Sequence, residues 1–147
     1  MNLKDVVLQL TIRMVLISTT VHEYGHLLAL RVMGYAGEIR SSALSAVYPT
    51  DVVGITQREK LFFYGSGGFF QALIFLALCL WNKDEENRLV NKMIAVQGII
   101  GGVFETLSPN KYWGYWGAIS IIASFLFLGV VLIKNSQAQL PAQPTLD

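Results

Sequence analysis

The chain has 147 residues, enough for a single domain; its net charge of +1 says nothing about nucleic acid, and no Lys/Arg cluster suggests such a partner, so none is expected. Hydrophobic residues make up 53% and charged residues only 14%, with a mean hydropathy of +0.48, which sets the chain apart from ordinary soluble domains and points to a membrane protein. The lone cysteine, Cys79, rules out an intrachain disulfide and a zinc ribbon, and its place in an apolar run reads as packed or lipid-facing filler.

Residues 3–33 form one long apolar stretch interrupted by Lys4, Asp5, Arg13 and the segment Val21-His22-Glu23-Tyr24-Gly25-His26-Leu27-Leu28. The apolar run continues through charged residues without a small-x-small cleavage site, so it reads as a retained helix and not a secretory signal. A span from Met14 to Met33 has 20 residues, enough to cross a bilayer. Arg13 lies nine residues before His22, about 180° away on an ideal helix, and is expected to snorkel or to face the bundle.

The segment from His22 to His26 is an H-E-x-x-H motif, and it contains both histidines of the chain. On a helix a spacing of four puts the two imidazoles on one face, one turn apart, where they can share a metal ion. Glu23 is turned by about 100° from His22, placing its carboxylate to reach a water on that ion and not the ion itself. An accidental motif in a core helix is the competing reading. It is weakened because ionisable groups within a membrane segment are costly and usually functional.

From residue 34 to 60 the composition changes. Gly34, Gly37, Pro49 and Gly54 break any helix, while 38–40 and 43–48 can form short extended pieces. The expectation is a connecting loop or small hairpin at the membrane face, whose edge beside the motif could pair with an extended substrate. Thr56 to Lys60 is a polar lead-in to a second span, Leu61 to Trp81. Its glycines, Gly65, Gly67 and Gly68, permit close helix approach, and Gln71 needs a partner at membrane depth.

The run from Asn82 to Asn91, rich in Lys83, Asp84, Glu85, Glu86 and Arg88, reads as a solvated loop without chemistry. Met93 to Phe104 is only 12 residues, too short to span, and is expected either to begin as early as Leu89 or to be a broken helix. Glu105 is the carboxylate besides Glu23 expected at membrane depth, which makes it the leading third-ligand candidate. Lys111 to Lys134 supplies a last apolar span opening on the string Tyr112-Trp113-Gly114-Tyr115-Trp116, read as an interfacial belt. The tail from Asn135 to Asp147 reads as disordered or a linker.

These features together resemble the site-2 protease family of intramembrane zinc metalloproteases, as a minimal member. The resemblance rests on Val21 to Leu28, then on Gln57 to Leu78 with Gly67, Gly68 and Gln71 matching the family's small-residue stretch ending in an amide, and more weakly on Glu105 to Gly117. In that last stretch the family carries an asparagine, a proline and an Asp-Gly pair whose aspartate is the third zinc ligand. No aspartate occurs here between Asp84 and Asp147. Glu105 then takes its place, or Asn110 offers a weaker oxygen, or the site holds zinc poorly.

The resemblance implies an all-α polytopic membrane protein of three to four transmembrane helices with a short loop or β-hairpin after the first. Residues 1–134 would form one membrane-embedded domain and 135–147 a polar tail. It further implies Zn2+ as cofactor, bound by His22, His26 and Glu105, with Glu23 as the catalytic base and Gly67, Gly68, Gln71 and Asn110 lining the site. The expected partners are a membrane-protein substrate, the lipid bilayer and a regulatory membrane protein. The glycines at 65, 67, 68, 98, 101 and 102 are expected to let helices part for a substrate. The alternative is a protease-like adaptor without catalysis.

Overall fold

A computed structural model describes residues 3–40, 46–49 and 54–107, together with helical residues at 119, 122–123, 125–127 and 129–130. The sequence expectations for Asn110, the aromatic string and the tail lie outside the described residues. The described chain is mostly helical: α1 (Leu3–Ile12), a π-helical segment (Arg13–Ser18), α2 (Thr19–Val32), α3 (Gln57–Trp81) and α4 (Glu85–Leu107). Strands β1 (Gly37–Arg40) and β2 (Ala46–Pro49) pair antiparallel between α2 and α3, with Gly37 opposite Pro49 and Arg40 opposite Ala46. The hairpin packs back on α2.

The first helix is longer than the 20-residue span read from the sequence. Ile12, Ser18 and Thr19 all keep right-handed helical dihedrals, so α1, the π segment and α2 make one continuous rod. The wide turn changes which faces the rod presents. A π turn takes about one more residue than an α turn, setting the register back by about 100°, so Arg13 and His22 end about 80° apart instead of about 180°. Both now reach α4: Arg13 donates to Asn91 Oδ1 at 2.9 Å and to Asn87 Oδ1, while His22 meets Glu105. Thr19 follows the wide spacing, its hydroxyl lying 3.4 Å from the Met14 carbonyl five residues back. Arg13 therefore faces the bundle, as one of its two expected placements had it.

The segment expected to be a solvated loop after Trp81 is instead mostly helix. Only residues 82–84 separate α3 from α4, and Asp84 accepts from the Asn87 backbone N–H at 2.9 Å, satisfying a free donor in the first turn. The charges there mark the helix start, and Val90 and Asn91 are already buried. The 12-residue apolar stretch that looked too short is thus the second half of a 23-residue helix. At its other end α3 begins with a capping box, in which Thr56 and Glu59 bond reciprocally.

Packing is closest between α3 and α4. Buried positions Gly65, Gly68, Ala72, Phe75 and Cys79 recur every three to four residues on α3 and form one stripe. At Gly68 a Cβ would run into the backbone of Gly98 and Gly102, so the two helices touch main chain to main chain. Gly65, Gly68, Gly98 and Gly102 sit at close helix contacts, whereas Gly101 on α4 has nothing within 4 Å. Below this contact a core of Val6, Leu10, Met14, Phe75, Val90, Met93 and Ile94 joins α1 to the α3–α4 pair. Cys79 is buried there, its thiol toward the Arg88 carbonyl.

Many large apolar side chains face outward, and several polar ones are buried. Leu16, Val32, Leu73, Leu80 and Trp81 are exposed, Leu80 to 91%, while Ser18, Glu23, His26, Gln71 and Asn91 are buried. Among the described residues, α3 is the helix long and apolar enough to cross a membrane. The main-chain contact yields a prediction. Gly68→Ala should destabilise the protein by about 1–3 kcal/mol or more through overpacking, whereas Gly101→Ala should be neutral or slightly stabilising; thermal unfolding in detergent compares the two.

Candidate metal centre

The H-E-x-x-H motif lies on α2, whose helical geometry stacks His22 and His26 on one face, with ring centroids 4.7 Å apart. Their Nε2 atoms approach to 3.0 Å. From α4, Glu105 brings Oε1 to 3.2 Å from His22 Nε2 and Oε2 to 3.6 Å from His26 Nε2. A tetrahedral ion with bonds of about 2.0–2.1 Å keeps its ligand atoms about 3.3 Å apart, so the three separations suit one small ion between them. The three groups could hold a metal ion, each offering one ligand atom within 4.8 Å of the others.

Two further observations fit an ion at this point. Glu105 Oε2 is buried and has no hydrogen-bond partner, a costly arrangement for a carboxylate oxygen unless a cation completes it. Gly67 lies beneath the two imidazoles, and a Cβ there would press on His26 Nε2 and, at 2.7 Å, on His22 Nε2. The position that the sequence marked as cavity lining is therefore the floor of the centre.

The histidines are held from behind. His26 Nδ1 lies 2.7 Å from the Phe63 carbonyl oxygen, which can only accept, so Nδ1 carries the proton and Nε2 presents its lone pair to the centre. Ser66 donates to the same carbonyl at 2.6 Å. Gln71 finds the partners it needs: its Nε2 donates to the Ile94 carbonyl and to Gln97 Oε1, each at 3.1 Å. Glu23 is buried on α2 and near enough to act on His22 electrostatically, but its carboxylate stands outside the three-ligand group.

The structure thus brings together His22, His26, Glu105, Gly67 and Gln71, with Glu23 beside them. Gly68 is one residue removed, in the helix contact with Gly98 and Gly102. Sequence reasoning missed Gly25, Phe63, Ser66 and Gln97. Gly25 had a legible signal, a glycine inside a helix, which usually marks a packing need: its Cβ would meet Ser66 O at 2.7 Å and Gly67 Cα at 2.9 Å. Phe63 contributes only a backbone carbonyl, which no side-chain pattern reveals.

The centre lies inside the bundle and toward the hairpin end. His26 is six residues from the end of α2 and Gly67 ten from the start of α3, or about 9 and 15 Å along their axes. The His22 side chain is partly exposed, and that of His26 is less so. Gly67→Ala should lower metal affinity at least about tenfold with little loss of helicity, because the new methyl group displaces imidazoles and not backbone; metal titration alongside circular dichroism measures both. In comparisons with known proteins, the chain matches no family, no curated protein and no solved structure.

Proposed function

We propose that the chain is an intramembrane zinc metalloprotease of the site-2 protease type, a multi-pass membrane protein that hydrolyses peptide bonds of membrane-embedded substrates. The observation that carries this reading is the convergence of His22 Nε2, His26 Nε2 and the Glu105 carboxylate, whose Oε2 lacks a hydrogen bond, above Gly67, inside a bundle that exposes many large apolar residues. Two imidazoles and one carboxylate form the donor set of a catalytic zinc site, which keeps one position open. Glu105 supplies the carboxylate that the family takes from an Asp-Gly pair. The outward apolar residues of the first rod and α4, such as Leu16, Val32, Ile99 and Val103, support a membrane setting beyond α3 alone.

In this reading His22, His26 and Glu105 hold the ion, which when bound supplies an acidified water, with a pKa near about 7, and an electrophile for the scissile carbonyl. Glu23 takes the proton from the water and delivers it to the leaving amine, the work of a general base and then acid. Phe63 and Ser66 keep the His26 ring oriented. A helical substrate hides its carbonyls in its own hydrogen bonds and must unwind before attack. The β1–β2 hairpin, packed on the helix that carries the histidines, suits pairing with such an extended segment along a strand.

Detergent-purified protein should contain about one zinc per chain, falling to near zero in His26→Ala and Glu105→Ala. Glu23→Gln should keep the zinc and lose cleavage of a membrane-embedded peptide by about a hundredfold or more. An adaptor without catalysis is the reading to adopt if both the wild type and Glu23→Gln bind such a peptide and neither cuts it. A wild-type chain without metal, purified free of chelator, would sink the zinc-enzyme reading.

A further inference from the structure

One position on α4 faces inward onto open space. Ile99 and Val103, two residues to either side of Gly101, are exposed and mark the outer face of the helix; a two-residue step turns by about 200°, so Gly101 points the opposite way, into the bundle. A Cβ built there still meets no atom within 4 Å. The gap follows from the packing: α4 lies against α1, the π segment and α3, whereas α2 packs on α3 and the hairpin. Glu105 reaches from this side of α4 to the imidazoles of α2. Gln97 and Glu105 each lie one turn from Gly101, about 6 Å along the axis and within about 40° of it around the helix.

Gln97 brings spare donors to this gap. The Ile94 carbonyl can only accept, so Gln71 faces it with its amide nitrogen, and the second proton of that nitrogen goes to Gln97 Oε1, each at 3.1 Å. The Gln97 NH2 group is thereby turned away from Gln71, and among the described residues no acceptor meets it. We propose that the gap is the seat of the substrate: an extended peptide stretch lies over Gly101, and Gln97 donates to one of its backbone carbonyls beside the metal centre. The seat rests on the protease reading above and gives it the surface that takes the unwound chain. An extended segment whose own hydrogen bonds are broken needs donors that a bilayer lacks. A residue without a side chain lets that second backbone come close. Because Gln97 reads main chain, the seat selects an unwound stretch and not particular side chains.

A fluorescently labelled, membrane-spanning Leu/Ala peptide with a central Asn-Pro break, added to zinc-loaded Glu23→Gln protein in detergent, reports binding by anisotropy without turnover. In that background Gln97→Glu keeps an oxygen for Gln71 but presents no amide protons, and should weaken binding about tenfold or more with zinc content and thermal unfolding unchanged. Gly101→Leu, whose side chain enters open space, should do the same. A Gln97 that serves only to hold Gln71 predicts no change in Gln97→Glu; that outcome, or full binding by Gly101→Leu, overturns the seat and leaves the metal centre standing. Zinc-loaded protein that binds no peptide overturns it too. If the chain takes up no zinc, the protease reading fails, and the two variants still decide whether the peptide sits at Gly101. If Gln97→Glu does not fold, Gly101→Leu decides alone.

Discussion

The structure depends on one close approach, the main-chain contact of α3 with α4 at Gly68, Gly98 and Gly102. Helices whose facing residues carry side chains sit about 8–10 Å apart; glycines on both sides let these two come nearer. Glu105 lies three residues beyond Gly102 and Gly67 one residue before Gly68, so the contact that joins the helices also sets the carboxylate over the floor of the centre. Gly25 repeats the device between α2 and α3, bringing the imidazoles down onto the same floor. Each approach removes a side chain where a ligand atom or backbone must pass.

The polar interior follows from the same economy of contacts. Arg13 is met by the amides of Asn87 and Asn91, His26 by a carbonyl, and Gln71 by a carbonyl and a second amide. Each of these groups finds its partner inside the bundle, as buried polar groups must. These polar side chains therefore link neighbouring helices at defined levels.

How much of this was legible in the sequence depended on how local each feature is. His22, Glu23 and His26 lie within one helical turn, so their shared face follows from spacing alone. Glu105 was legible by elimination, as the remaining carboxylate at depth, although its meeting with the histidines depends on glycines some forty residues earlier. The extended pieces around 38–40 and 43–48 came out as the β1–β2 hairpin. The helical start of α4 was obscured because charges at a helix N-terminus look like a loop when composition is averaged. The wide turn at Arg13–Ser18 leaves no local signature. It exists because Arg13 and His22 must both face α4, a tertiary demand that overrides the regular period of the sequence.

The three-residue connection between α3 and α4 has a consequence for assembly. Floor and carboxylate both ride on that helical hairpin, whereas both imidazoles and Glu23 belong to the first rod. Neither piece by itself holds a ligand set, so the centre comes into being only when the rod docks. An ion bound there ties the two pieces together like a bolt through a hinge. Its binding free energy is thereby added to the stability of the docked state.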